Sequence, residues 1–211
     1  MNIVKLYSDG SALKVKKTKE TFAGCGFRTM SRDGEIFEHS EMLEPPEQNS
    51  GIKAPTNQIA ELMGFKRGIE YILNSERNII DKSFIYAYLD SKYVINIFTS
   101  YIRMWKRNGW RRVGGQEIEN LDLIKSIHDL LEESGHKVIY MHVRAHQPQP
   151  QHVTENDTDY EIWYGNMRAD ELSRTASEQC KSKNYIEPVK ATKVSKPKKS
   201  GTKTKIQVST I

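Results

Sequence analysis

Ile3-Val-Lys-Leu-Tyr-Ser-Asp-Gly-Ser11 sets an aspartate at the end of a largely apolar stretch. Residues 3 to 9 read as a strand of mixed burial, and Gly10-Ser11 as the turn that ends it. Asp9 then occupies the strand's carboxyl end. A second segment repeats the arrangement. In Phe84-Ile-Tyr-Ala-Tyr-Leu-Asp-Ser91 no charge interrupts the apolar and aromatic run until Asp90, as expected of a buried strand with a carboxylate at its tip. Ligands of open α/β sheets bind in the crevice beyond the carboxyl ends of strands, so the two aspartates meet there if their strands are neighbours.

Between and beyond these segments the pattern supplies the rest of a domain. Phe22 to Met30 reads as a second strand whose glycines permit close backbone approach, and Gly34 turns the chain into a third strand over about 35 to 43. Pro45, Pro46, Gly51 and Pro55 mark a loop. Thr56 or Asn57 then caps a helix in which Ile59, Leu62, Phe65, Ile69, Ile72 and Leu73 recur at helical spacing. Glu61 shares a stripe with Phe65 and Ile72 and so borders the buried face, where a carboxylate is costly unless it is paired or binds a cation. After Asp90 come an apolar helical run from Tyr93 to Ile102 and a protruding segment broken by Gly109, Gly114 and Gly115. An amphipathic helix over about 117 to 134, a fifth strand over 136 to 143, a polar loop over 145 to 165 and a last helix beginning near Asn166 complete the chain's order. Strands and helices in this succession predict one α/β domain, a mixed sheet covered by helices.

Composition narrows the classes further. The chain is 37% hydrophobic and 28% charged, as in soluble globular domains, and lacks an apolar run long enough to span a bilayer. Its first residues do not resemble a secretory signal, and Cys25 and Cys180 are too few for a disulfide framework. The expectation is an intracellular protein, cytoplasmic or nuclear, and a monomer. Nine lysines against one acid, Glu187, make residues 181–211 strongly basic, while residues 1–180 carry a slight acidic excess. The expected division is therefore a folded domain over 1–180 and a disordered, basic, low-complexity tail over 181–211, read as a phosphate-binding arm, a nuclear address or a solubilising segment.

With 27 acidic residues in the chain, a lone carboxylate means little. Asp9, Glu61 and Asp90 stand out because each interrupts an apolar pattern; Asp170, at the start of the last helix, is a weaker candidate alone. If three or four of them converge, two carboxylates about 4 Å apart repel by a few kcal/mol at an effective dielectric near 20. A pair of hard divalent cations removes that conflict. Oxygen ligands without histidine or cysteine at ligand spacing favour Mg²⁺, with Mn²⁺ as a substitute, and two such ions suit in-line displacement at phosphorus.

Five motifs now carry a family resemblance: Tyr7-Ser-Asp-Gly-Ser11, Thr56-Asn-Gln-Ile-Ala-Glu-Leu-Met63, Leu89-Asp-Ser-Lys-Tyr-Val94, Trp105-Lys-Arg-Asn-Gly-Trp110 and Gly165-Asn-Met-Arg-Ala-Asp-Glu-Leu172. In order, and spanning essentially 1 to 180, they resemble ribonuclease H, type I. The resemblance implies a ribonuclease H-like fold, a five-stranded mixed sheet flanked by helices, and an endonuclease that hydrolyses the RNA strand of RNA/DNA hybrids with two Mg²⁺ ions. It implies that Asp9, Glu61, Asp90 and Asp170 are the catalytic, metal-binding carboxylates and that His146 is the loop histidine assisting catalysis and product departure. It implies substrate contacts from Gly10, Ser11, Thr56, Asn57, Gln58 and Asn166, with Trp105, Lys106, Trp110, Arg111 and Arg112 gripping the DNA strand. Wide-groove 2′-hydroxyls distinguish RNA from DNA, while cations and aromatic faces hold a backbone.

Three departures from the family pattern stand out. Lysines 14, 16, 17 and 19 replace a Gly/Pro-rich turn after the first aspartate, and the protrusion lacks the usual lysine cluster. The segment from His146 to Asp170 is long and contains His152, a rival for the role of His146, together with Asp157, Asp159 and Trp163. A proofreading-type exonuclease would want an Asp-x-Glu pair where the chain has Asp9-Gly-Ser11. The remaining alternative, a non-catalytic hybrid-binding module, would be expected to have lost a carboxylate. Hybrids of the kind such an enzyme would meet are DNA-replication primers, R-loops and reverse-transcription intermediates.

Overall fold

The computed structural model describes residues 3–45, 54–75, 84–151 and 153–185. Among these, five strands form one sheet in the order β3-β2-β1-β4-β5. They are β1 (Ile3–Lys14), β2 (Thr21–Met30), β3 (Ile36–Leu43), β4 (Phe84–Leu89) and β5 (Lys137–His142). β1 to β3 run antiparallel, while β4 and β5 join parallel to β1, so the sheet is mixed as expected. The helices are α1 (Asn57–Ser75), α2 (Lys92–Asn96), α3 (Ile102–Arg107), α4 (Leu121–Ser134) and α5 (Thr158–Asn184), with a π-helical segment, Ile97–Tyr101, between α2 and α3.

β1 is the central strand, and its alternation explains both layers. Leu6 faces α1, where Gly68 leaves room for its side chain; Tyr7, Asp9 and Ser11 face α5, opposite Gly165, Ser173 and Ser177. The main core lies on the α1 side, from Val4 and Leu6 through Phe65, Ile69, Ile85 and Leu89 to Ile97, Trp105, Ile124 and Ile127. Beneath α5, Tyr7 and Tyr88 stack with centroids 4.9 Å apart. The helices can approach this closely because small residues line the contacts. A Cβ on Gly10 would stand 2.2 Å from the carbonyl carbon of Ala60, and one on Gly26 would stand 2.6 Å from the backbone nitrogen of Ser173.

Three expectations from the sequence are corrected. Gly10-Ser11 is not a turn: β1 continues to Lys14 because its antiparallel pairing with β2 runs on through Thr21. Its parallel pairing with β4, however, ends at Ser8–Leu89, so Asp9 still stands where that pairing stops. The last helix begins at Thr158 rather than near Asn166, which leaves Asp170 in mid-helix; the polar run that leads into it, Thr154-Glu-Asn-Asp-Thr-Asp159, had concealed its start. The helix read over 117–134 begins at Leu121, after Asn120 takes a left-handed conformation at φ 59°. The basic segment beyond Tyr185 lies outside the described residues.

Candidate active site

Four elements carry the carboxylates to one end of the sheet. β1 brings Asp9, the first turns of α1 bring Glu61, Asp90 directly follows β4, and α5 brings Asp170. Ser91 builds the corner between two of them. It caps α2 by accepting from the Val94 N–H at 3.3 Å, and its hydroxyl donates to Glu61. Asn57, one helical turn before Glu61, donates to the other carboxylate oxygen at 2.8 Å. Ser173 of α5 donates to Asp9 Oδ2 at 2.5 Å, reaching across from helix to strand.

The electrostatics record the convergence. Burial pushes Asp9 up to about 7, the Asp90 and Asp170 charges add to the rise, and Ser173 and the Gly10 N–H oppose it. Burial likewise raises Glu61, against the hydrogen bond from Ser91 and with Asp90 contributing. Asp90 rises through burial and the nearby Asp170. Three like-charged groups that resist ionisation together form a site short of positive charge. Among the described residues no three His, Cys, Asp or Glu side chains stand ready-closed around a metal position. Asp9 and Glu61 are instead turned toward hydroxyl and amide donors, which satisfy them without a cation. The donor chemistry nevertheless fits a hard divalent ion: every carboxylate is an oxygen ligand, and each gains by sharing a positive neighbour.

His146 sits on the loop after β5 at φ 50°, exposed, with Nδ1 3.8 Å from Asp170 Oδ1. Arg174 reaches the other oxygen of Asp170 at 3.6 Å. Together with Trp163, Asn166 and Arg144 these residues line a cavity of about 390 Å³ beside the carboxylates. Asn166 is buried in its wall. His152, the alternative loop histidine, lies outside the described residues.

The remaining sequence-predicted residues divide between the cleft and a neighbouring groove. Gly10 is buried against α1, so only its backbone can serve a ligand, and the Ser11 hydroxyl is engaged with that of Ser177 at 2.9 Å. Thr56 caps α1 through the Ile59 N–H, leaving Asn57 and Gln58 exposed on its first turn. Gln58, Trp105 and Arg112 line a groove of about 490 Å³ with Tyr93, Tyr101 and Val113. Trp105 is otherwise a core residue, 7% exposed. Trp110 is held at φ 60° beneath the Lys125 ammonium, 4.9 Å from its ring centroid, while Arg111 is tied back to the Gly115 carbonyl. Lys106 lies 3.0 Å from His128 Nε2, on the far side of α3, beside Arg103 and Arg107. It therefore lines a different cavity from Trp105. Ser173 and Trp163 were missed as site residues, since a serine or tryptophan inside a helix gives no local sign of what it reaches.

A β3-β2-β1-β4-β5 sheet with carboxylates collected at one end from β1, α1, β4 and α5 is a ribonuclease H-like architecture. The RNase H family model matches residues 1–178. The chain belongs to the RNase H family, as the five motifs implied. Ribonuclease H of Acidovorax sp. (strain JS42) is 35% identical over 92 residues, which cover 44% of this chain and 53% of that protein. This chain thus spans about half the length of that relative in the matched region. Ribonuclease H of Verminephrobacter eiseniae (strain EF01-2) is 28% identical over 181 residues, 85% of this chain and 93% of the relative. The PFV RNase H domain, known from its solution structure, superposes with a TM-score of 0.59 at 24% identity, covering 84% of this chain and 96% of its own. That likeness concerns the fold. None of the described helices is long and apolar enough to cross a membrane.

Proposed function

We propose that the chain is an endoribonuclease that hydrolyses the RNA strand of RNA/DNA hybrids. The observation that carries this reading is the convergence of Asp9, Glu61, Asp90 and Asp170: burial makes the first three resist ionisation, the Asp90 charge adds to this at Asp9 and Glu61, and the Asp170 charge at Asp9 and Asp90. Asp9, Glu61, Asp90 and Asp170 would hold Mg²⁺, two ions in the working site or Mn²⁺ in their place. When bound, the ions supply an activated water and stabilise the leaving oxygen at phosphorus.

The protein's own groups bind, orient and move protons. Ser91 and Asn57 orient the Glu61 carboxylate, and Ser173 that of Asp9. His146 moves a proton between its imidazole and the departing product, within reach of Asp170. Asn57 and Gln58 read the minor groove, where RNA alone presents 2′-hydroxyls, and Thr56 touches a DNA phosphate. Trp105 and Arg112, in the groove beside Gln58, hold the DNA strand, with Trp110 and Arg111 on the adjoining segment and Lys106 adding charge from the opposite side of α3; Gly10, Ser11 and Asn166 contact the substrate beside the carboxylates. Exposed Lys14, Lys16, Lys17 and Lys19 on the β1–β2 hairpin extend the phosphate contacts. The catalytic unit runs through the end of α5 at Asn184 rather than stopping at residue 180, and acts as a monomer, with the lysine-rich segment that follows a basic arm to nucleic acid in an intracellular setting.

The test is cleavage of an end-labelled RNA/DNA hybrid, beside RNA/RNA and DNA/DNA duplexes, in Mg²⁺ and in chelator. Internal cuts confined to the hybrid's RNA strand and dependent on the metal are expected. Tight hybrid binding without cutting would instead make the chain a non-catalytic hybrid-binding module.

A further inference from the structure

We infer that Ser173 is a positioning residue for the carboxylate site: its hydroxyl ties the Asp9 side chain to the turn of α5 that bears Asp170, setting the spacing of two carboxylates that come from separate elements. The Oγ of Ser173 lies 2.5 Å from Asp9 Oδ2 and 2.9 Å from the Asp170 carbonyl oxygen. A hydroxyl has one hydrogen to share between these acceptors. The helix carbonyl one turn back fixes its rotamer, and the carboxylate makes the stronger, charge-assisted partner. Ser173 is fully buried, so no water substitutes readily for it.

Packing alone does not ask for a hydroxyl here. α5 meets β1 and β2 through Gly165, Ala169, Ser173, Ala176 and Ser177, all buried. The close approach of Gly26 to Ser173 requires a small residue, which alanine also satisfies. The oxygen is the part that serves Asp9. Ser177, one turn further on, supplies an internal control: it is equally buried but bonds the Ser11 hydroxyl and the Arg174 carbonyl rather than a carboxylate.

The inference rests on the proposed reading of Asp9 and Asp170 as divalent-cation ligands. Full-length Ser173→Ala, Ser173→Cys and Ser177→Ala are compared with the unaltered chain by Mg²⁺ and Mn²⁺ calorimetry, by kcat and KM on the hybrid, and by thermal unfolding in chelator. Removing an outer partner of a metal ligand weakens metal affinity by about 10-fold or more, and that loss is expected in Ser173→Ala. Its kcat should fall with it at unchanged KM. Ser173→Cys, with its weak S–H donor, should fall between the two, and Ser177→Ala, whose hydroxyl touches no carboxylate, should bind metal with unaltered affinity. Unaltered metal affinity in Ser173→Ala, an equal loss in Ser177→Ala, or no divalent binding by the unaltered chain would each overturn the inference. Calorimetry that follows the expected order in a chain that cuts no hybrid would overturn the nuclease reading and leave the positioning role standing.

Discussion

The indole N–H of Trp163 donates to the main-chain carbonyl of Gln147 at 2.9 Å, fastening the loop after β5 to the first turns of α5. The Gln147 amide donates in turn to the Ala145 carbonyl at 3.0 Å, so the residues on both sides of His146 are held. Trp163→Phe keeps an aromatic ring and deletes the donor. A hydrogen bond of this kind contributes about 0.5–1.5 kcal/mol, so turnover should fall by roughly 2- to 10-fold with the fold intact. Single-turnover cleavage and amide exchange over 144–151 check this. Unchanged exchange would show that the loop is ordered by other contacts.

Gly10 is where β1 and α1 touch most closely. A Cβ there would stand 2.1 Å from the Glu61 nitrogen, and backbone cannot rotate aside as a side-chain tip can. Gly10→Ala must push apart the two elements that carry Asp9 and Glu61. Overpacking of this sort costs about 1–3 kcal/mol or more, and activity should fall further than stability because the two carboxylates separate. Denaturant midpoint and cleavage rate, measured on one preparation, separate the effects.

Much of this arrangement was legible from local pattern. The apolar run of β4 ends at Asp90 as the sequence suggested, and the stripe of α1 places Glu61 at its margin. Asp9 was located rightly for an incomplete reason: what stops beside it is the pairing with β4, while pairing with β2 carries β1 onward. A turn signal such as Gly-Ser cannot distinguish the two, because Gly10 is present for closeness to α1 rather than for a bend. The first turns of α5 were hidden because Asp157, Thr158 and Asp159 look like loop composition. Ser173 and Trp163 depend on contacts 164 and 16 residues away in sequence, which no local pattern encodes.

The raised carboxylates predict an inverted pH dependence for the metal-free protein. Asp9 is pushed from 3.8 to about 7, so the folded chain keeps its proton where the unfolded chain has lost it. Stability in chelator should therefore be greatest below about pH 4 for this group, decline as pH rises toward about 7, and level off above. Glu61 and Asp90 shift in the same direction and deepen the decline. If Mg²⁺ binds the ionised folded site as proposed, it should restore about 2.7 kcal/mol at 100 times its Kd, with a larger gain at high pH than at low. Melting temperatures across this range, with and without Mg²⁺, decide it. A flat profile in chelator would mean that the carboxylates are better solvated than their burial indicates.

Asp90→Asn retains the size of the side chain and removes its charge. It also relieves the repulsion that raises Asp9 and Glu61, so the metal-free variant should unfold at a temperature equal to or above that of the parent at neutral pH. Hybrid cleavage should drop to the level seen in chelator. Circular dichroism with the cleavage assay reads both. Full activity in this variant would sink the catalytic assignment.

The basic segment should act on binding rather than on chemistry. Residues 187–211 contain seven lysines and one acid, so their removal deletes cations able to displace counterions from a nucleic-acid backbone. Each phosphate that the protein ceases to neutralise lowers the slope of log K against log salt by about 0.9 on B-form DNA. Deleting 187–211 should weaken hybrid binding at low salt, flatten its salt dependence, and leave the rate of cutting at saturating hybrid unchanged. Fluorescence anisotropy in chelator, on the Asp90→Asn background and over a range of salt, measures the slope with cleavage suppressed. An unchanged slope would rule out the arm as a phosphate contact and leave the hairpin lysines and the α3 protrusion to account for backbone affinity.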